Sequence, residues 1–154
     1  MEIKQFAEFV SAVVRQLPRD LDPTRAQKWI VDQGGLAQAL CKALGLTFEL
    51  YLAPAQQNGG SIKGFDLEEH LKKMKLIDRT MSLEDEVVKG WLVDPTSYPK
   101  EFKGKAVFLW KSQRTSGRNR DVAYLIWLDD RVVVNWDWQG NGWFGVSPVL
   151  LASS

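Results

Sequence analysis

A chain of 154 residues, 45% hydrophobic and 25% charged, has the composition of a globular protein and suits one domain, or two small sub-domains sharing a core. Its 20 Lys and Arg nearly cancel its 19 Asp and Glu: six of each sign in residues 1–52, eight positive and nine negative in 53–104, six positive and four negative in 105–154. The non-specific attraction that dominates nucleic-acid affinity is therefore weak overall, and a single cysteine, Cys41, excludes an intramolecular disulfide.

The first predicted element is a helix over 3–17, with Ile3, Phe6, Val10, Val13, Val14 and Leu17 in one apolar stripe, stopped by Pro18. Asp22 is suited to cap a second helix, and Pro23 fits its first position, where no amide hydrogen is needed. Ala26, Trp29 and Ile30 give that helix an inner face, and Gly34-Gly35 ends it. A third short helix covers 36–44 and stops at Gly45, so the three should pack as a small bundle. LTFELYL (46–52) alternates at period two and reads as a strand, although the third helix could also continue through it. APAQQNGGSIKG (53–64) is small, polar and glycine-bearing, the best linker candidate. Two capping-box-like starts follow, Asp66 with Glu69 and Ser82 with Asp85. The first precedes a stripe of Leu67, Leu71 and Met74. The second precedes Leu83, Val87, Val88, Trp91 and Leu92, and ends at Asp94-Pro95. Residues 94–104 read as a loop.

From Lys105 the period switches to two. KAVFLWK, DVAYLIWL, RVVVNWDW and GWFGV read as strands joined by QRTSGRN, Asp129-Asp130 and Gly140-Asn141. Three of the seven tryptophans lie between Val132 and Gly145. With Asp129-Asp130 as a two-residue loop, Leu128 faces Arg131, Trp127 faces Val132, Leu125 faces Val134, and Ala123 faces Trp136. With Gly140-Asn141 as the next loop, Trp138 faces Trp143 and Trp136 faces Gly145. One sheet face then carries Leu125, Trp127, Val132, Val134, Trp136 and Trp138. It must be buried, with the upstream amphipathic helices as cover, so the indoles read as core. The opposite face mixes Val122, Tyr124, Ile126, Val133, Asn135, Asp137 and Phe144, the half-apolar make-up of an interface.

Recognisable chemistry is sparse. One His and one Cys, far apart, do not make a transition-metal site, and no D-x-D-x-D-G spacing offers a hard-cation loop, so neither metal nor cofactor is expected. No G-x-S-x-G is present, and His70, beside Leu71, reads as a half-exposed residue bordering the core. GGSIKG and RTSGRN lack the phosphate-loop pattern. Lys111, Arg114, Arg118, Arg120 and Arg131 gather at one end of the predicted hairpins, beside Trp127 and Tyr124, where a basic, aromatic-edged groove could take single-stranded nucleic acid. LAQALCKALGLT has the rhythm of a helix-turn-helix start, but no basic recognition helix follows. Trp with Asn and Asp on a sheet could stack a sugar, a reading that a core role for the rings weakens. No apolar run reaches membrane length, and the start MEIKQFAEF is unlike a signal peptide, so no membrane contact and a cytoplasmic location are expected.

LIDRTMSLEDEVVKGWL, FLWKSQR and AYLIW resemble uncharacterised proteins of environmental bacteria, a resemblance that covers the second half of the chain and implies no activity. The ending GWFGVSPVLL is similar to the last turn and strand of Src-homology-three barrels. The acidic loop and paired tryptophans of that fold's peptide groove are missing, so no binding residue carries over.

The expected fold is α+β, with N-terminal helices packed on a C-terminal three- to four-stranded antiparallel β-meander or small barrel. The expected organisation is a helical sub-domain at 1–52, a linker at 53–64, and a helical pair plus sheet at 65–154, sharing one core with 1–52 or standing apart. The leading functional expectation is a non-catalytic protein-binding module. Its site is the second sheet face (Tyr124, Ile126, Asn135, Asp137, Phe144) with a basic rim (Arg114, Arg118, Arg120). The alternatives are a single-stranded nucleic-acid binder using Lys111, Arg114, Arg118 and Arg120, and an enzyme using carboxylates such as Asp129, Asp130 and Asp137. Apolar residues on both sheet faces leave room for a homodimer.

Overall fold

Period-two hydrophobicity frames the molecule. In a computed structural model that describes residues 47–152 and positions 11, 12, 15, 22–24, 27 and 31, seven strands and two helices form an α+β fold. The chain divides into two units, Met1–Gln33 and Gly34–Ser154, and the residues from 47 onward belong to the second. In the first unit Asp22 caps as its sequence implies: its Oδ1 accepts the Thr24 amide hydrogen bond at 3.0 Å, and Pro23 takes the first helical position. The expected cover of the sheet by the helices of residues 3–44 lies outside the described residues.

The main sheet has five strands in the order β1 (Phe48–Tyr51), β7 (Val149–Ala152), β3 (Val107–Ser116), β4 (Asn119–Leu128) and β5 (Arg131–Trp138). β3, β4 and β5 are the expected antiparallel meander, and the β4–β5 register is the one the two-residue loop implies: Leu128↔Arg131, Trp127↔Val132, Leu125↔Val134, Ala123↔Trp136. Asp129 and Asp130 both have positive φ, 49° and 58°, as a type I′ turn requires. The segment QRTSGRN is not a loop. The two arms run on to Ser116 and Asn119, leaving a turn at Gly117-Arg118.

Two expectations fail at the C-terminal end. The sheet is neither closed nor purely antiparallel, because β7 pairs with β3 in parallel at Phe108↔Val149 and with β1 antiparallel. Trp138 does not face Trp143, nor Trp136 Gly145. Trp138 pairs with Asp121, while β6 (Gly142–Trp143) leaves the sheet to pair with β2 (Ile62–Lys63). The cause is local. Asp137 Oδ1 accepts from the Trp138 amide and the Asn141 side chain, and the Trp138 ring lies close against Gly140, where a Cβ would come within 2.4 Å of it. The chain is thereby turned away after Trp138 rather than folded back alongside β5.

The 53–64 stretch carries a 3-10 turn at Pro54–Gln56 and strand β2. Its buried Gln56 accepts from the Ala53 amide at 3.0 Å and donates to the carbonyls of Phe144 and Ser147 at 3.2 and 3.0 Å. Helix α1 (Gly64–Lys73) starts two residues before Asp66, which lies in its first turn without capping it. Helix α2 (Glu86–Val93) starts after Asp85. The Ser82–Asp85 pair instead shapes the preceding turn, Asp85 Oδ2 accepting from the Ser82 amide at 2.7 Å and Ser82 Oγ from that of Glu84 at 3.1 Å.

Each sheet face has its own core. On face one, Val107, Leu109, Ala123, Leu125, Val132 and Leu150 pack with Val88 and Trp91 of α2 and with Tyr98 and Phe102 from the two 3-10 turns that follow. Trp91 meets Phe48, Tyr98 and Phe102 edge-on at 5.5–5.7 Å between ring centroids. On face two, Leu67 and Leu71 of α1 pack with Phe108, Trp110, Val122, Trp143, Val149 and Leu151. No helix among the described residues is long and apolar enough to cross a membrane, which leaves strand-built spans unaddressed.

Candidate protein-docking face

The β4–β5 ladder decides which side chains share face two. Paired residues fall on the same side, so Val122 and Asp137, Tyr124 and Asn135, Ile126 and Val133, and Leu128 and Arg131 form four successive rungs. Helix α1 covers only part of them. Val122 is fully buried in the face-two core, and Tyr124 packs at its margin against Phe108, ring centroids 5.1 Å apart. Among the described residues, Ile126, Leu128 and Val133 belong to neither core. Leu128 is 45% exposed, Ile126 and Val133 are half-buried, and Asn135 beside them is exposed. The result is a short apolar strip with polar ends, at the edge of the sheet farthest from β1.

Four of the residues expected at this site, Tyr124, Ile126, Asn135 and Asp137, thus lie together on one face. Phe144 does not join them. It follows β6 in the 144–148 loop, 54% exposed. The arginines separate as well. Arg114 pairs in register with Asp121 and lies on face one, its guanidinium 3.3 Å from the Asp121 carboxylate and 4.5 Å from the Trp136 ring centre. Arg120 lies on face two, 3.4 Å from Glu68 and 5.7 Å from the Phe65 ring centre. Arg118 stands exposed at the turn with no acidic partner among the described residues. Lys111 points elsewhere, its ammonium 2.7 Å from the Asp78 carbonyl.

The tryptophans divide too. Trp127 and Trp136 are half-buried against the face-one core, Trp127 stacked on Tyr98 and under the Lys103 ammonium at 3.3 Å. Trp143 is buried in the face-two core, stacked on Phe108 at 4.0 Å. Trp138 is 41% exposed, so the expectation that it is core fails.

Sequence reasoning missed the polar groups held under α1. Glu68 is nearly buried. It accepts from Lys72 on its own helix and from the buried Gln139 at 3.1 Å, and it faces Arg120. Burial pushes its carboxyl up, but the hydrogen bonds from Lys72 and Gln139 and the charges of Arg120 and Lys72 outweigh that, holding it below the ordinary glutamate value. Nothing in composition marks Gln56, Glu68 or Gln139 as interior, because each has at least one hydrogen-bond partner more than 70 residues away. The other polar pair is Tyr51 with His70, hydroxyl to Nε2 at 2.6 Å with the rings stacked. Burial first, then the nearby Glu49 charge, push the Tyr51 phenol up. Among the described residues no three of His, Cys, Asp and Glu group as metal ligands.

No protein-family model matches the chain, and no curated protein or solved structure does.

Proposed function

We propose that the chain is a non-catalytic protein-binding module whose partner docks on the strip of Ile126, Leu128 and Val133, with Tyr124 and Asn135 as its polar margin. The observation that carries the reading is that, among the described residues, these three apolar side chains belong to neither core, although they sit in well-paired strands. Everywhere else on the two faces, apolar residues of β4 and β5 pack inward, save Trp138. An apolar centre with hydrogen-bonding margins suits a partner surface with apolar side chains at its middle and amide or hydroxyl groups around them.

The test is quantitative capture from a lysate of the source organism with immobilised wild type, Ile126→Thr/Leu128→Asp and Arg118→Ala, each checked for folding by near-UV circular dichroism. A partner recovered with wild type and Arg118→Ala, but lost with the double variant, supports the strip. Equal recovery with the double variant removes it.

A second reading, a single-stranded nucleic-acid binder, is favoured by one observation. Residues 113–120 are all exposed, include three arginines and no acid, and adjoin Trp136, Trp138 and Phe65. Fluorescence anisotropy with a labelled oligonucleotide should then show affinity falling steeply with salt and weakened by Arg118→Ala. A flat salt response ends that reading.

A further inference from the structure

The two edges of the sheet are unlike. β1 is four residues long, and its Glu49 is engaged by Arg79 at 3.1 Å. β5 is eight residues long, has neither proline nor lysine nor bulge, and pairs on one side only among the described residues. Such an edge is a template for another strand.

Its hydrogen-bond phase follows from two facts. A two-residue type I′ loop is closed by a pair that exchanges both hydrogen bonds, here Leu128 and Arg131. Past the strand's end, the Gln139 amide donates to the Arg120 carbonyl at 3.0 Å in the same register. Odd-numbered residues therefore turn their backbone groups toward β4, and even-numbered ones turn theirs outward. Of the latter, Trp138 is already occupied: its amide donates to Asp137 Oδ1 at 2.9 Å and its carbonyl accepts from Asn141 at 3.0 Å. The open stretch is therefore 132–136, and it is symmetric about Val134.

We propose that this edge pairs with the same edge of a second copy of the chain, antiparallel about a two-fold axis through Val134. Val134 then lies opposite its own counterpart, and Val132 opposite the partner's Trp136. These even-numbered residues meet as hydrogen-bonded pairs, which is what their outward groups require. Odd-numbered residues meet at the non-hydrogen-bonded positions, where side chains come closest. There Val133 lies opposite the partner's Asn135, and Arg131 opposite the partner's Asp137, twice by symmetry. Arg131 is exposed and has no ion pair among the described residues, and Asp137 Oδ2 has no partner among them. Sliding one strand by two residues places Arg131 opposite the partner's Asn135 or beyond the strand's end, and sliding it by four places it opposite the partner's Val133. Only the register centred on Val134 joins unlike charges, and the unpaired backbone selects the same centre independently. The two ladders form one continuous sheet across the axis. This inference goes beyond the docking strip and does not depend on it.

Sedimentation velocity of the full chain over a range of concentrations tests it. Wild type should show a species of twice the 17.5 kDa chain mass, growing with concentration. Arg131→Glu and Asp137→Lys should each weaken self-association by about tenfold, since each places like charges opposite one another on both sides of the axis. An equimolar mixture of the two variants should restore it, because the new acid of one chain then meets the new base of the other. Amide exchange at Val132, Val134 and Trp136 should slow as concentration rises in wild type and not in Arg131→Glu. A wild type that stays monomeric at the highest concentration overturns the proposal. So does an Arg131→Glu variant that associates like wild type, or a mixture of folded variants that fails to recover.

Discussion

Face one is sealed mainly by rings and aliphatic chains: α2 and two 3-10 turns place Trp91, Tyr98 and Phe102 against the apolar residues of the strands, with Asp121 and Arg114 paired at one end. Face two is sealed by α1 and by side-chain amides and charges, with Gln56 and the Glu68–Gln139 pair joining segments far apart in sequence. The difference shows in which groups lack partners. On face one the only such buried side-chain atom among the described residues is the Tyr98 hydroxyl, whereas the indole N–H groups of Trp110 and Trp143 and Gln139 Oε1 lie toward face two. Face one is thus held by transfer from water, which has no direction. Face two is held partly by hydrogen bonds, which specify where each loop must lie.

Four substitutions separate these two kinds of cohesion. Trp91→Ala removes the ring on which three others converge, and a denaturant titration should show a loss of about 3–5 kcal/mol. A loss below about 1 kcal/mol would mean that face one does not depend on its aromatic cluster. Gln56→Ala leaves the Ala53 amide and the Ser147 carbonyl without this partner and takes one of two donors from the Phe144 carbonyl, and should remove about 2–3 kcal/mol. If face two were held by burial alone, deleting one amide would barely register.

Glu68→Gln is expected to have a smaller effect, one that depends on pH. The Glu68 carboxyl is held below its unfolded value, so its contribution is present above that value and is lost as pH falls through the folded value. Wild type should be the more stable protein at pH 7, and the two melting temperatures should converge as pH drops below about 4.3. A gap that persists unchanged to pH 3 would mean the carboxylate's charge is not what matters. Last, Tyr98→Phe removes a buried hydroxyl that has no partner among the described residues and whose ionisation burial pushes far up. It should be neutral or stabilise by about 1 kcal/mol. A clear loss would place a hydrogen bond on face one.

How far the sequence speaks follows the same division. The β4–β5 register was legible because a two-residue loop of aspartates leaves one pairing, and period two then assigns every side chain to a face. The turn after Trp138 was not, because it depends on the Asp137 side chain and on a ring lying against Gly140, neither of which has a period. β7 was missed for another reason. VLLA is buried on both sides between two neighbouring strands, so it shows no alternation. Gln56 looked like part of a flexible stretch because composition reports polarity and not partners. Of the candidate site, Tyr124, Ile126, Asn135 and Asp137 were legible through the register, whereas Phe144 depended on the course of a loop, and the arginines on how far the β3–β4 hairpin runs and on the register shift within β3.

The short strand Val149–Ala152 also has a kinetic consequence. It fills the gap between Phe48–Tyr51 and Val107–Ser116, and its partners in the first of these lie about a hundred positions earlier in the chain. The β3–β5 hairpins can assemble from near neighbours, but the remaining ladder must wait for a long loop to close, a slow event for entropic reasons. Refolding should therefore be limited by the arrival of this last segment. Until then Leu150 and Leu151 remain in solvent and both cores stay open, the interval in which the chain is most exposed to aggregation.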